Sequence, residues 1–251
     1  MARGRNRFLH KIGVAFRKPE LVVPYFRRRL RNRRIRTADH LTFYRQVMAD
    51  DVKRKSARAA VGTPSEERWL ALGKLQFDYL SQHGLASHHR MLEIGCGNLR
   101  AGWRFIEFLD PGNYTGVDIS PEILFAAQQT IADRQLQDKV PSLFLVAGSR
   151  LGFLPAGYFD VAHAHSVFSH CPLDVIEATL VEVKPLLVVG GFFDFTYNKS
   201  EEGVWEFLRE DFYYPTEVLV DLGRRLGYHA EPRSDWSYKQ AKIRLTVPAV
   251  A

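Results

Sequence analysis

The sequence predicts an α/β fold with a doubly wound, mostly parallel sheet, preceded by a basic N-terminal extension. Strand-like and helix-like patterns alternate from residue 65 onwards, which is typical of a parallel sheet covered by helices. A glycine-rich turn, Gly95 to Gly97, follows the first apolar strand, and the acid Asp118 ends the second. Two β-rich stretches close the chain as a hairpin, which makes one strand of the sheet antiparallel.

Periodicity and capping residues place each element. Apolar residues recur every three or four positions in residues 65–82, with Ser65 as N-cap and Gly84 just past the end, and this predicts a helix. A second helix start is Ser120 followed by Pro121, whose ring presets the backbone angle of a first helical turn. The remaining elements are strands at 90–94, 114–118, 142–146, 159–165 and 191–196, helices at 102–109, 173–184 and 216–226, and β-rich stretches around Tyr228 and at 242–247.

Composition limits the classes of protein that the chain can represent. Its 251 residues, 46% hydrophobic and 25% charged, are typical of a globular protein with a sizeable core. The longest apolar run, residues 185–195, contains Gly190 and Gly191 and is far shorter than the roughly 20 residues that span a bilayer. Cys96 and Cys171 provide neither a disulfide framework nor a zinc site, and the N-terminus has no signal-peptide core. We therefore expect a cytoplasmic protein.

Positive charge is concentrated at the N-terminus. Residues 1–58 hold 18 Lys and Arg against 4 acids, a net charge of +14, whereas the remainder carries 17 bases against 24 acids, a net of −7. Apolar residues at four-residue steps, Phe8, Ile12 and Phe16, indicate helical segments. We predict a basic, partly helical extension at 1–60 and a separate domain at 61–251. The extension has three interpretations: a solvated tail, an amphipathic segment at the anionic inner surface of a membrane, or a nucleic-acid contact.

The run MLEIGCGNLRAG at 91–102 and the acid of YTGVDIS indicate a site for an adenosine-bearing cofactor. Gly95 and Gly97 let backbone amides approach a ligand where side chains would collide, and Asp118 can accept hydrogen bonds from both hydroxyls of a ribose. One version of this pattern binds dinucleotides and another binds S-adenosylmethionine. The dinucleotide version requires a third glycine where this chain has Arg100.

Four motifs in order decide between the two versions. Glu93 before the glycines, then Asp118, FDVAHAHSVFSH at 159–170 and VKPLLVVGGFFDF at 183–195, resemble class I S-adenosylmethionine-dependent methyltransferases over residues 65–247. The resemblance implies a Rossmann-like, seven-stranded sheet whose last strand is antiparallel, with S-adenosyl-L-methionine as cofactor. More narrowly, GCGNLRAG with SVFSH is similar to bacterial enzymes that methylate small molecules, sugars and glycan intermediates.

The resemblance also implies which residues contact the cofactor, namely Glu93, Gly95, Cys96, Gly97, Asp118, Ile119 and Ser149. Glu93 would orient the glycine turn or balance the ammonium group of the cofactor, and Ile119 would pack on the adenine. Ser149 falls where the family usually has an Asp that reads the adenine amino group, so it offers a hydrogen bond without charge. The turn departs from the family pattern at Leu99, where a third glycine is usual.

Methyl transfer from a sulfonium requires the acceptor and the methyl group to be held in line, and a hydroxyl acceptor also benefits from a base. Histidine suits this role near neutral pH. His170, in the loop that faces acceptors in this family, is the first candidate for the base. His165, near the carboxyl end of the fourth strand, is the second, because ligands bind at that end of such sheets. No acid cluster follows this strand, so we expect a metal-independent reaction.

Residues after the fifth strand either shape the acceptor pocket or belong to the core; they are Tyr197, Asn198, Trp205, Phe207, Phe212, Tyr213 and Tyr214. The sequence therefore predicts methyl transfer from S-adenosylmethionine to an acceptor, with a hydroxyl of a small molecule, sugar or lipid-linked glycan preferred. Two alternatives stay open: an RNA methyltransferase, which the basic head suggests, and a cofactor-binding member of the fold without turnover. The chain lacks the Asn/Asp-Pro-Pro-Tyr/Phe motif of amino-methylating nucleic-acid enzymes, which disfavours the first.

Overall fold

A computed structural model describes residues 22–63 and 65–249 of the chain. The chain divides into two compact units, Met1–Ala38 and Asp39–Ala251. The sequence placed a domain boundary near residue 60, whereas the larger unit begins at Asp39. The apolar positions Phe8, Ile12 and Phe16 lie outside the described residues.

The smaller unit contains helix α1, Val22–Arg34, which presents an apolar stripe to solvent. Val23, Phe26 and Leu30 recur at three- and four-residue steps, so they share one helix face, and they are 57%, 58% and 54% exposed. The same helix contains six arginines and no acid. An exposed apolar stripe between basic side chains is typical of helices that lie on an anionic surface.

The larger unit follows the predicted order of elements. Helix α4 spans Glu66–Gln82, and the Ser65 hydroxyl caps it by accepting a hydrogen bond from the Arg68 N–H at 3.3 Å. Helix α6, Pro121–Asp133, begins directly after its capping residue Ser120. The other helices are α2 (His40–Arg54), α3 (Ala57–Ala60), α5 (Gly102–Phe108), α7 (Leu173–Val183) and α8 (Thr216–Arg225).

Within the described residues, nine strands form the sheet. They are β1 (Met91–Ile94), β2 (Tyr114–Asp118), β3 (Ser142–Leu145), β4 (Phe159–Ala164), β5 (Leu187–Lys199), β6 (Trp205–Phe207), β7 (Asp211–Tyr214), β8 (His229–Pro232) and β9 (Ala241–Thr246). Strands β3, β2, β1, β4 and β5 are parallel neighbours, β9 pairs antiparallel with β5, and β8 pairs antiparallel with β9. These seven strands confirm the predicted sheet.

The hairpin of β6 and β7 is an addition that the sequence patterns did not predict. Its second strand pairs in parallel with the carboxyl end of β5, where Asn198 lies opposite Tyr213. The hairpin thereby extends the sheet beside the end of β5. The aromatic residues after β5 belong to this ribbon, so the ribbon fixes their positions.

Alternation along the strands builds a core on each face of the sheet. Phe193 and Phe195 of β5 belong to one buried cluster, whereas Phe192 belongs to the other. This is expected because successive residues of a strand point to opposite faces. With both faces covered, ligands have access at the carboxyl ends of the strands, where β1 enters the glycine turn, β2 ends at Asp118 and β4 leads into His165.

Candidate functional site

The turn after β1 has a backbone shape that glycine adopts without strain. Gly95 and Gly97 have φ angles of 65° and 59°, in the left-handed region. A Cβ atom on Gly95 would lie 2.5 Å from the Val167 Cγ2 atom, closer than two carbon atoms can approach. Conformation therefore favours glycine at both positions, and close packing against the loop after β4 requires it at the first.

Leu99 adopts the left-handed conformation at the position where the family usually has a third glycine. Its φ angle is 60°, and its side chain is fully buried. The backbone strain costs roughly 1–2 kcal/mol, which burial of the leucine, about 1.5–3 kcal/mol, offsets. The side chain fills the space beside Gly102, where a Cβ atom would lie 2.6 Å from the Leu99 Cδ2 atom. The NLRA stretch thus forms a left-handed turn without the third glycine.

Asp118 joins the glycine turn to the start of α6. Its Oδ2 atom accepts a hydrogen bond from the Gly97 N–H at 3.0 Å, and its Oδ1 atom accepts one from the Ser120 N–H at 2.9 Å. Burial raises the pKa of Asp118, while these backbone hydrogen bonds act to lower it. Each carboxylate oxygen can accept a second hydrogen bond. The residue can therefore hold the turn and still receive the two hydroxyls of a ribose.

Glu93 lies beneath the same turn as a buried acid. The Tyr114 hydroxyl donates a hydrogen bond to its Oε2 atom at 2.5 Å. Burial raises the pKa of Glu93 to about 7, although the Tyr114 hydrogen bond and the Arg100 charge act in the opposite direction. The same oxygen borders Gly102, where a Cβ atom would approach it to 3.0 Å. This environment supports the predicted role of Glu93 in orienting the turn.

Three other residues with implied cofactor contacts have different surroundings. Cys96 is buried, and burial raises the pKa of its thiol well above the usual range. Ile119 is partly buried and packs against the core. Ser149 is partly exposed in the turn after β3, next to Gly148. All three follow the ends of β1, β2 or β3, so the sheet topology brings them to the edge that carries Asp118.

A hydrogen-bonded network holds the loop after β4. Ser166 has a φ angle of 60°, and its N–H donates to the Thr196 Oγ1 atom at 2.8 Å. The Ser166 hydroxyl donates to the Gln240 Oε1 atom at 2.7 Å, and the Gln240 amide donates to the Asn198 Oδ1 atom at 3.3 Å. These contacts join β4, β5 and the segment before β9. They also place Val167 against Gly95.

His170, the first candidate for the base, has a ring whose orientation is fixed. Its Nδ1 atom lies 2.6 Å from the Glu210 carbonyl oxygen and 3.3 Å from an Asp211 carboxylate oxygen. Because a carbonyl oxygen only accepts, Nδ1 must carry the hydrogen, and the neutral ring then has its lone pair on Nε2. The Tyr44 ring stacks on the imidazole with centroids 5.2 Å apart, and 30% of the His170 side chain stays exposed. The geometry suits a proton acceptor at Nε2.

His165, the second candidate, is buried at the end of β4 together with His163. Among the described residues, neither ring nitrogen of His165 has a hydrogen-bond partner. Burial, and after it the Arg100 charge, lowers the pKa of His165 well below its usual range, so its ring is neutral. His163 lies deeper and faces Gln76, with 3.4 Å between the Nε2 and Oε1 atoms. His165 thus differs from His170, whose ring is anchored at Nδ1.

The aromatic residues of the β6–β7 hairpin differ in burial. Phe212 and Tyr214 are buried, and the Tyr214 hydroxyl donates to the Cys171 carbonyl oxygen at 2.7 Å. Trp205 and Tyr213 stack on each other with centroids 3.7 Å apart and are only partly buried. Burial also raises the pKa of the Cys171 thiol to about 12, which makes this cysteine a poor nucleophile near neutral pH.

The sequence patterns did not predict that residues 39–63 contact both the glycine turn and the loop that carries His170. The His40 Nε2 atom donates to the His170 carbonyl oxygen at 2.7 Å, and Arg100 donates to the Val61 carbonyl oxygen at 3.2 Å. The Val61 Cγ1 atom would lie 3.7 Å from a Cβ atom on Gly97. The segment overlaps the strongly basic residues 1–58, whose charge was taken as their main feature. Its Asp39 N-cap and the buried residues His40, Phe43 and Val47, at three- and four-residue spacing, were the available signal.

Within residues 22–63 and 65–249, no three His, Cys, Asp or Glu side chains are grouped in a way that could hold a metal ion. No helix in that part is both long enough and apolar enough to cross a membrane.

Part of the chain is similar in sequence to methyltransferase domains. Residues 92–193 match the sequence model of a family described as a methyltransferase domain. An uncharacterized methyltransferase of Schizosaccharomyces pombe is 30% identical over 107 residues, which are 41% of this chain and 37% of that protein. The match therefore spans well under half of the relative's length.

The fold is similar to those of solved methyltransferases. The magnesium protoporphyrin IX methyltransferase of Synechocystis PCC 6803, solved with S-adenosylmethionine bound, superposes with a TM-score of 0.63 at 14% identity, covering 84% of this chain and 98% of that chain. Phosphoethanolamine N-methyltransferase 1 of Haemonchus contortus, solved with phosphoethanolamine and S-adenosylhomocysteine, has a TM-score of 0.62 at 12% identity, covering 84% of this chain and 50% of that chain. These similarities confirm the predicted fold class.

Proposed function

We propose that the chain carries a class I S-adenosylmethionine-dependent methyltransferase domain, which binds S-adenosyl-L-methionine and transfers a methyl group to an acceptor. The supporting observation is the Asp118 carboxylate, which bonds the Gly97 and Ser120 N–H groups and can still accept two ribose hydroxyls. The glycine turn beside it has no side chain at Gly95 or Gly97 to obstruct a ligand. Solved proteins of the same fold hold S-adenosylmethionine or S-adenosylhomocysteine, which supports the choice of cofactor.

Calorimetry with S-adenosylmethionine and S-adenosylhomocysteine tests the binding step. We expect Asp118→Ala to weaken both ligands by at least about 10-fold, because two charge-assisted hydrogen bonds to the ribose are lost. Asp133→Ala, an exposed acid at the end of α6, is the matched control and should bind as the wild type does. A wild-type protein that binds neither ligand would refute the proposed function.

For the reaction, the preferred acceptor is a hydroxyl of a small molecule, sugar or lipid-linked glycan. When bound, S-adenosylmethionine supplies a methyl group on a cationic sulfur. His170 takes the hydroxyl proton on Nε2 as the oxygen bonds to the methyl carbon, since Nδ1 is occupied by the Glu210 carbonyl oxygen. Tyr44 stacked on the ring and the His40 hydrogen bond to the His170 backbone keep the base in one orientation.

The acceptor is sought with a labelled methyl donor and fractionated pools of polysaccharide, lipid and RNA. With the pool that accepts label, His170→Ala should lower kcat by about 10²–10⁴-fold and leave cofactor affinity unchanged. His88→Ala, an exposed histidine before β1, is the control. Label in the RNA pool alone would favour the RNA alternative, and cofactor binding without label in any pool would favour the non-catalytic one.

We also propose that α1 attaches the protein to an anionic membrane surface. Val23, Phe26 and Leu30 form an exposed apolar stripe, and exposed arginines such as Arg27 and Arg33 lie close to it around the helix. Apolar side chains can enter the headgroup region while the arginines pair with lipid phosphates, each basic residue contributing about 1 kcal/mol. Because the helix is positively charged, an anionic lipid surface attracts it more strongly than a neutral partner would.

Vesicle sedimentation of the full-length protein tests this attachment. The protein should bind phosphatidylcholine vesicles that contain phosphatidylglycerol and not vesicles of phosphatidylcholine alone. Joint substitution of Val23, Phe26 and Leu30 by Ser should abolish binding, whereas the control Arg225→Gln in α8 should not. Binding that is insensitive to the serine substitutions, or a protein that binds labelled RNA but no vesicles, would overturn the membrane proposal.

A further inference from the structure

His165 is a buried polar side chain whose surroundings do not satisfy it. It lies at the carboxyl end of β4, is 7% exposed, and finds no hydrogen-bond partner for either ring nitrogen within the described residues. An imidazole buried in this way loses its hydrogen bonds to water without replacement, which is unfavourable. Such a group at a strand end that faces ligands is suited to bond a polar group of a bound molecule.

Aromatic rings form the wall beside His165. The Trp236 ring lies 5.8 Å from the imidazole and the Tyr238 ring lies 5.5 Å from it, measured between centroids. Both come from the segment between β8 and β9, which Gln240 fastens to Ser166. In the strand order β3-β2-β1-β4-β5, the aromatic wall therefore lies near β4 and β5, whereas Asp118 ends β2.

Arg100 brings a positive charge to the same place. One of its terminal nitrogens donates to the Val61 carbonyl oxygen, while its buried Nε atom has no partner within the described residues. Arg100 lies in the turn after β1, the strand that pairs with β4, and its charge acts to lower the pKa of His165, whose ring contacts that of Tyr238. Arg100 forms no ion pair with any residue that the structure describes. A partly buried guanidinium that lacks an ion-pair partner favours an anion.

A second buried cation strengthens this preference. Lys242 lies behind the aromatic wall, with its Nζ atom 4.4 Å from the Trp236 ring centroid. Its nearest acid, Asp194, is 3.9 Å away and is already held by Arg244 through two hydrogen bonds of 2.7 Å and 2.9 Å. The acid is thus shared between two cations. Arg233 pairs with Asp235, the acid next to Trp236, so the region around Trp236 still has more positive than negative charge.

We propose that Arg100, His165 and Tyr238 form a subsite for a carboxylate, and that the methyl acceptor supplies it. The proposal rests on the methyltransferase function proposed above and narrows its acceptor to an acid-bearing molecule. A guanidinium, an imidazole N–H and a phenol hydroxyl are all donors that a carboxylate accepts, and the Trp236 face suits a flat, partly apolar body. The subsite adjoins the loop where Val167 meets Gly95, so an acceptor held there lies beside the cofactor turn.

The methionine end of the cofactor is the other source of a carboxylate, and calorimetry with two nucleosides separates the sources. S-adenosylhomocysteine carries the amino-acid carboxylate, whereas 5′-methylthioadenosine lacks it. If the acceptor supplies the carboxylate, Arg100→Gln binds both nucleosides within about twofold of the wild type. A loss of about 10- to 100-fold for S-adenosylhomocysteine alone would assign Arg100 to the cofactor and overturn the acceptor assignment.

Benzoate and its neutral analogue benzamide test the acceptor side in protein saturated with S-adenosylhomocysteine. We expect wild-type protein to bind benzoate and to discriminate against benzamide by at least 10-fold. Both Arg100→Gln and His165→Gln should lose that discrimination, and Arg100→Lys should retain part of it because the charge remains. Arg104→Gln is the matched control, since this arginine lies over the Trp103 ring in α5. Circular dichroism checks that each variant folds.

The outcomes separate this inference from the proposed function. Wild-type protein that binds S-adenosylhomocysteine but treats benzoate and benzamide alike refutes the subsite and leaves methyltransferase function standing. Wild-type protein that binds neither nucleoside refutes the function itself. Discrimination that survives both Arg100→Gln and His165→Gln also overturns the subsite, because the acid would then be held elsewhere.

Discussion

The two halves of the site differ in how their polar groups are satisfied. On the β1 and β2 side, Asp118 and Glu93 each accept hydrogen bonds from within the protein. In the half where we place the acceptor, between the glycine turn and the loop after β4, His165 and the Arg100 Nε atom are buried without partners among the described residues. A half whose polar groups are already bonded is preorganised, whereas a half with unsatisfied groups gains its bonds from a ligand. We infer that the cofactor half is shaped before binding and that the acceptor half is completed by its substrate.

Substitution of Gly95 should give the largest loss of stability and cofactor affinity, because Gly95 is where the preorganised cofactor half packs against the loop after β4. In Gly95→Ala, the new Cβ atom meets Val167 at 2.5 Å and occupies a left-handed φ of 65°. We expect a loss of roughly 2–5 kcal/mol in unfolding free energy and weaker S-adenosylhomocysteine binding. Urea unfolding and calorimetry measure the two effects.

Gly112→Ala is the matched control for this substitution. Gly112 also has a left-handed φ, 83°, but a Cβ atom there would meet nothing within 4 Å. Its cost should be only about 1 kcal/mol of backbone strain. Adding Val167→Ala to Gly95→Ala should recover the steric part of the loss and leave the strain. Equal losses at the two glycines would show that packing between the halves contributes nothing.

Glu93→Gln should have a smaller effect that depends on pH. The folded-state pKa of Glu93 is raised to about 7, above the 4.5 of the unfolded chain. Between these values the unfolded chain ionises while the folded protein stays protonated, so stability falls as pH rises through this window and the loss is complete above pH 7. Gln cannot ionise and still accepts from Tyr114, so the variant should gain up to about 3 kcal/mol over wild type at pH 8 and little at pH 4.

Urea unfolding between pH 4 and 8 measures this difference, with the exposed Glu107→Gln in α5 as control. A stability difference that stays flat across the pH range would contradict the buried, neutral state of Glu93. It would also weaken the contrast between the two halves, because the acid would then be solvated.

Ser166 offers the smallest and most local test, on the acceptor half. Ser166→Ala and Ser166→Gly both lose the 2.7 Å hydrogen bond to Gln240, but only Gly relieves the strain of a φ of 60°. We expect the Gly variant to be more stable than the Ala variant by about 1 kcal/mol in thermal or urea unfolding. The reverse order would mean that the loop after β4 is not held in a strained conformation.

The sequence predicted the elements whose patterns are long and regular. Helix α4 and strands β1 to β4 fall within one or two residues of their expected bounds, because apolar periodicity and capping residues such as Ser65 and Ser120 act locally. The hairpin of β6 and β7 was missed because strands of three and four residues carry too little alternation to be recognised.

The site was predicted where backbone shape depends on residue type and missed where it depends on distant contacts. Gly95 and Gly97 predict a left-handed turn. Leu99 adopts the same left-handed backbone conformation because its side chain is buried, which no local sequence rule indicates. His170 was chosen as base from its position alone; its ring is fixed because Nδ1–H donates to the carbonyl oxygen of Glu210, forty residues further along. The wall at Trp236 is likewise formed only when the end of the chain returns to β4.

Residues 39–63 touch the glycine turn through Val61 and the acceptor loop through His40. One contiguous segment therefore contacts both sites, so a ligand that restrains the segment at one site also restrains it at the other. We expect cofactor and acceptor to increase each other's affinity by the same factor, a reciprocity that follows from linkage.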